Sequence, residues 1–270
     1  MTGHPAAAAC GAVLPVLLYH SVAEDPPAEI ARHTVTPRLF AEHVAAIAAT
    51  GRTPISIHDL ATGMRGHRPL PERPVAITFD DGYSDTYVAV ASLLESGLAA
   101  TVYATTGQID RPGHLSSHQL AELARERAVE LGAHTVHHPR LDELSRAEAA
   151  DEIRISRSQL EQVIQARVDT FAYPHGAYDR DVRQAVALAG YMSAAAVKDA
   201  VSHPADDPFA IARWTVTAGT PASRIAEVLD GRFVPPSWAR ERVRTRGYRF
   251  VRRQRRRLAR AAPRRAATSW

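Results

Sequence analysis

Short apolar runs of strand character alternate with amphipathic helix patterns along most of this 270-residue chain, and that alternation restricts the fold more than any other feature. Residues 13–19 form an apolar run that ends at His20, and residues 37–49 space their apolar side chains at the 3.6-residue period of a helix leading to Gly51. Residues 74–79 are apolar and β-rich. Ser84 or Asp85 can cap a following helix with Val88, Ala91 and Leu94 on one face, Gly97 stops it, and residues 100–105 return as a strand. The series continues with a helix near 117–127 and a strand at 129–133. Next comes a helix opened by the capping box of Ser145 and Glu148, turning Ile153, Leu160, Val163 and Ile164 inward. A strand at 170–173, a helix over 179–189 stopped by Gly190, strands at 192–197 and 210–216 and a helix over 221–229 complete the pattern. Strands separated by crossover helices pair in parallel, and about seven such units favour a (β/α)7-type barrel, closed or nearly so, over an open doubly wound sheet.

The length and a hydrophobic content of 45% suit one large core. The expected organisation is a flexible N-terminus at 1–12, a barrel over 13–234 and a basic tail at 235–270. Pro235 and Pro236 interrupt regular structure at that boundary. From Arg240 to Arg265 there are 13 arginines and one glutamate, a net of +12, whereas the remaining 20 basic and 28 acidic side chains give the rest of the chain −8. Tyr248, Val251, Leu258 and Ala262 fall on one helical face, so the tail reads as a basic helix or a disordered segment. Attachment to an anionic membrane surface suits it, and a purely solubilising tail is the alternative. The acidic body and the lack of a recognised module argue against nucleic acid. Cys10 is the single cysteine, which rules out an internal disulfide framework. No segment reads as a spanning helix, and no Lys or Arg precedes Arg32 to form the basic start of a secretory leader, so the expected location is cytoplasmic, at the inner membrane face.

Chemistry concentrates at predicted strand ends. His20, the pair Asp80 and Asp81, His134, and the segment from Tyr173 through Pro174 to His175 each lie just past the C-terminal end of a different strand. In a β/α barrel those ends share one mouth, where active sites are built. The string TFDDGY places two adjacent carboxylates after a buried strand, and ionising both is costly unless a cation sits on one of them. The alternative is that Asp80 or Asp81 merely caps the helix opening at Ser84. HTVHH offers His134, His137 and His138, and two imidazoles with one carboxylate leave an open position on a divalent metal. Sequence neighbours such as Asp80 and Asp81 do not readily straddle a glycosidic bond from opposite faces, which disfavours a two-carboxylate glycosidase.

These motifs resemble those of the polysaccharide deacetylases, carbohydrate esterase family 4 or the NodB-homology family, over roughly residues 13–229. The resemblance implies a distorted β/α barrel and metal-dependent N-deacetylation of N-acetylated sugars. It puts Asp80 in the place of the catalytic base, and Asp81, His134 and His138 in the places of the metal ligands, with His137 outside them. Zinc is the expected cation, with cobalt or nickel as substitutes. The third motif, often Arg-x-Pro-Tyr-Gly, is FAYPHG here, with Ala172 where the arginine would stand. A similar string, and an opening Tyr-His pair like Tyr19-His20, mark a branch typified by enzymes acting on poly-N-acetylglucosamine. No histidine follows His203, so the usual C-terminal general acid is missing and His20 takes that role by resemblance to the branch. Arg213, in ARWTV, resembles an arginine near the mouth in the same branch and could orient Asp80. Tyr173, Pro174 and the backbone N–H of His175 are expected at the substrate and its oxyanion. Trp214 could be a sugar platform or core packing. The two departures leave a catalytically degenerate barrel, binding carbohydrate or serving as a scaffold, as the alternative function.

Overall fold

The computed structural model describes residues 13–236, so the basic tail beyond Pro236, Cys10 and the rest of the N-terminal segment lie outside the described residues. Among the described residues, ten strands and seven helices follow one another. The strands are β1 (Val16–Tyr19), β2 (Ser21–Val22), β3 (Thr34–Val35), β4 (Thr53–Pro54), β5 (Pro74–Phe79), β6 (Ala100–Ala104), β7 (Val129–Ala133), β8 (Thr170–Ala172), β9 (Ser193–Ala195) and β10 (Trp214–Thr215). The helices are α1 (Pro37–Ala49), α2 (Ile57–Met64), α3 (Thr86–Glu95), α4 (Ser117–Leu123), α5 (Arg146–Ile164), α6 (Arg180–Leu188) and α7 (Ala222–Leu229).

Parallel pairing in the order β10-β1-β5-β6-β7-β8-β9 curls one sheet into a distorted barrel, with β4 added beside β5 and β2-β3 forming a separate ladder. Ile211, just before β10, bridges in parallel to Ala195 of β9, so the two ends of the path meet. Alternate side chains point inward: Val16, Ala76, Tyr103, Ala172, Ala195 and Ile211 form an inner cluster together with Ile57, Leu60 and Ala61 of α2. α2, which the alternation does not predict, therefore plugs the N-terminal end of the barrel. Ile57 N donates to Thr101 Oγ1 at 3.2 Å and His58 N to Glu130 Oε2 at 3.1 Å, fastening the start of α2 to β6 and β7.

The opposite strand faces carry Leu17, Ile77, Phe79, Val102 and Phe171 outward against Phe40, Val44 and Ile47 of α1, Ile153 and Leu160 of α5, and Ile225 and Val228 of α7. Each such side chain, fully buried, stabilises the fold by about 1.5–3 kcal/mol. Thr36, Ser116, Ser145 and Asp179 cap α1, α4, α5 and α6 by accepting a backbone N–H, and Ser145 and Glu148 form a reciprocal box. α3 differs from expectation. Its buried face is Thr86, Ala89, Val90 and Leu93, whereas Val88 is 67% exposed, and Asp85 makes no capping bond but accepts from Ser21 Oγ at 2.6 Å. The helix is apolar nearly all round, so spacing alone does not say which side faces in. Among the described residues no helix is long and apolar enough to cross a membrane.

Candidate metal centre

Four strand ends deliver the polar side chains to one mouth. β5 ends at Phe79, and Asp80 N donates to Tyr19 O at 3.0 Å, tying the turn to β1. Asp81 and Gly82 then take left-handed backbone, φ 71° and 75°, which reverses the chain within two residues and turns the two carboxylates in different directions. Asp80 is 2% exposed and faces Arg213, itself wholly buried: Nη1 donates to Oδ1 at 2.6 Å and Nη2 to Oδ2 at 2.7 Å. The guanidinium is fixed in turn by Thr78 Oγ1 at 3.1 Å and Ala196 O at 3.2 Å, and lies over the Tyr103 ring. Burial pushes the Asp80 carboxyl up, but the charges of Arg213 and His134 outweigh it and hold the group below its ordinary value. Arg213 thus forks onto the Asp80 carboxylate from a different part of the chain than Ala172.

Asp81 turns the other way, toward His134 and His138. Its Oδ1 lies 3.4 Å from His134 Nε2 and 3.1 Å from His138 Nε2, and the two imidazole nitrogens are 3.2 Å apart. His134 Nδ1 donates to Ala172 O at 2.8 Å, which leaves Nε2 with a lone pair facing the carboxylate. Asp81 Oδ1 is buried and accepts no hydrogen bond. A carboxylate oxygen and two imidazole nitrogens converging with that atom unsatisfied is a donor set suited to a divalent cation. Burial opposes a charge on His134, yet Asp80 and Asp81 raise its pKa, so the cluster attracts positive charge in whatever form arrives.

The loop carrying HTVHH is held from α5. Glu152 Oε2 accepts from Val136 N at 2.9 Å and His137 N at 3.0 Å, and Oε1 meets His137 Nδ1 at 2.6 Å, which pulls His137 outward, away from the other two. Glu152 has no distinguishing signal in the sequence, where it is one more acidic residue on a helix. His175 follows in a tight turn with φ 57°, and its ring meets that of His138 edge-on at 4.5 Å. Partial burial and the neighbouring His138 and Arg140 push its pKa to about 4, so it is neutral at pH 7.

A cleft of about 790 Å³ opens over these groups, lined by His20, Asp80, Asp81, His134, His138 and His175 and, on its outer walls, by Arg32, His33, Tyr83, Asp199 and Trp214. His20 comes within the fields of Asp80 and Asp81, although burial lowers its pKa overall. Two expected residues do not reach the cleft with their side chains. Tyr173 is wholly buried, gives its hydroxyl to Phe209 O at 2.9 Å and stacks on Tyr178, and Pro174 is buried in the turn. An aromatic next to a proline in a motif says nothing of which way β8 points it. Trp214 is half-buried, packed on the core on one side and open to the cleft on the other, with Arg224 over its ring.

Residues 67–194 match the sequence profile of the polysaccharide deacetylase family. YxkH of Bacillus subtilis (strain 168) is 23% identical over 220 residues, covering 81% of this chain and 77% of that protein. The poly-β-1,6-N-acetyl-D-glucosamine N-deacetylase of Escherichia coli (strain K12) is 32% identical over 133 residues, 43% of this chain but 20% of that longer protein. In structure, the Streptococcus pyogenes deacetylase PplD in complex with acetate shares the fold with a TM-score of 0.74 at 22% identity, over 81% of this chain and 98% of that one. With TFDDG and HTVHH converging at the mouth of a parallel barrel, the matched profile identifies residues 67–194 as a polysaccharide deacetylase domain, of the NodB-homology group of carbohydrate esterase family 4.

Proposed function

We propose that the protein is a metal-dependent N-deacetylase that removes acetyl groups from an N-acetylated saccharide. The observation that carries this reading is the division of labour between neighbouring carboxylates: Asp81 faces two imidazoles while Asp80 is locked to Arg213 in the same cleft. Asp81, His134 and His138 would hold a divalent cation, zinc before cobalt or nickel, which supplies Lewis acidity toward the acetamide carbonyl and acidifies a water beside it. Asp80, oriented by the Arg213 fork, takes the proton of the water as its oxygen adds to the carbonyl carbon. The backbone N–H of His175 would donate to the oxygen on which negative charge develops. His20, across the cleft, delivers a proton to the nitrogen as the C–N bond breaks, and acetate and a free amino sugar leave. Arg213 acts through Asp80 and touches no reacting atom.

The substrate named for the Escherichia coli relative, a β-1,6-linked N-acetylglucosamine polymer, is the first to test. Zinc-loaded protein should release acetate from such oligomers, and Asp80→Asn should keep its zinc while losing about a hundredfold to ten-thousandfold in rate. A wild-type rate in that variant would refute the base assignment. Protein that binds no zinc by calorimetry would support the degenerate scaffold instead.

A further inference from the structure

Among the described residues no hydrogen bond fixes the imidazole of His20: its Nδ1 is buried and unpartnered. The ring that packs against it is His33, with centroids 4.9 Å apart and planes at 42°. Nδ1 of His33 is likewise buried without a partner, so the two rings hold one another by contact rather than by a shared proton.

Local structure enforces the pairing. His20 immediately precedes β2 and His33 immediately precedes β3, and the β2-β3 ladder pairs Ser21 with Thr34 and Val22 with Val35. One step back in that register sets the two imidazoles side by side. The loop bearing His33 is tied down on both sides, by Thr34 Oγ1 donating to Ile30 O at 3.0 Å, His33 N to Ile30 O at 2.8 Å, and Ala218 N to Arg32 O at 3.0 Å. His33 is therefore presented to His20 by a braced element.

We infer that His33 is a positioning residue for His20, an inference that rests on His20 being the acid of the proposed deacetylation. The second side-chain torsion of a histidine has a broad, shallow preference, so an imidazole without a hydrogen bond swings unless a flat neighbour confines it. Proton transfer from a positioned acid accelerates a reaction by about a hundredfold to ten-thousandfold, and a displacement of about 1 Å can cost a hundredfold. Confinement by His33 keeps His20 within reach of the leaving nitrogen.

The test uses full-length zinc-loaded protein, acetate release and ring relaxation by NMR. His33→Ala should lower kcat by about tenfold to a hundredfold, within the range set by acid catalysis, and leave KM and zinc binding unchanged. His33→Phe, which restores a flat ring without nitrogens, should recover most of kcat. In a His20→Ala background, His33→Ala should add nothing. Relaxation of the His20 ring should show greater mobility in His33→Ala than in wild type whether or not the protein turns over. Unchanged kcat in His33→Ala, a Phe variant as slow as the Ala variant, an undiminished effect in the His20→Ala background, or unchanged ring mobility would each overturn the inference. Wild-type protein that loads zinc and releases no acetate would instead sink the deacetylase reading, while the ring mobility would still judge the contact.

Discussion

Replacing Arg213 by methionine preserves the length of a wholly buried side chain and deletes its charge. Asp80, 2% exposed, would then keep its carboxylate without the two hydrogen bonds of 2.6 and 2.7 Å that balance it. Breaking a buried ion pair by removing one partner costs about 3–5 kcal/mol. Two charge-assisted hydrogen bonds at about 1.5–3 kcal/mol each give the same range. Against a total stability of about 5–15 kcal/mol, about a fifth or more would be lost. With a denaturant slope of about 2 kcal/mol per molar urea, the unfolding midpoint should fall by about 2 M, read by circular dichroism at pH 7. Asp80→Asn with Arg213→Met should be less destabilised than the two single changes added together, since no unpaired charge remains buried. The pH dependence has a definite sign. Because the folded Asp80 carboxyl is held below its ordinary value, the pair stabilises the fold above a pH of about 4 and that contribution fades as pH falls through the depressed value. The gap between wild type and Arg213→Met should accordingly narrow on acidification. An unchanged midpoint at pH 7, or a gap that widens toward low pH, would refute the reasoning.

Asp81→Ala or His134→Ala should weaken zinc binding by more than the roughly 10–100-fold that follows loss of a partner behind a ligand. Because Asp80 and Asp81 raise the pKa of His134 in the metal-free protein, a proton competes for the site, so zinc affinity should rise with pH and calorimetry should detect proton release; pH-independent affinity would contradict this. At the other end of the barrel, burial pushes Glu130 up to about 7 despite its bonds from Thr101 and the α2 backbone. A carboxyl whose folded pKa is raised favours the fold below its unfolded value and loses that advantage as pH rises to about 7, so Glu130→Gln should flatten the stability profile between about pH 4 and 7. For the arginine-rich tail, full-length chain should sediment with vesicles containing phosphatidylserine, each arginine near the surface contributing about 1 kcal/mol, and a chain ending at Pro236 should stay in solution. Equal sedimentation would discard the membrane reading.

Strong periodicity and punctuation made much of the barrel legible. The start of α1 follows from Thr36-Pro37, the strand β5 from an apolar run, and the start of α5 from its capping box. The convergence of Asp81, His134 and His138 was legible because strand ends in this architecture share a mouth. Other features depend on packing that one sequence does not display. The register of α3 was lost in an all-round apolar helix, and α2 hid because its inward face is short and follows a two-residue strand. The burial of the Tyr173 side chain is not legible either, because a motif fixes position along the chain but not the side to which the residue turns. Glu152 and His33 act across large sequence separations, and neither carries a local mark of doing so.

Asp81, Thr135, His138 and His175 all adopt positive φ, at 71°, 66°, 57° and 57°. Such conformations cost on the order of 1–3 kcal/mol each in non-glycine residues, and a β-branched threonine is the least suited of the four. Thr135 persists because its carbonyl accepts Thr106 N at 3.0 Å and its hydroxyl accepts His138 N at 2.9 Å. Tension of this kind is loaded once, when the chain folds, so the donor atoms stand ready before any ion arrives. Capture of a cation should then be a single rapid step with no accompanying rearrangement of the rim, and loops farther out can diverge to admit different sugars without loosening the grip beneath them.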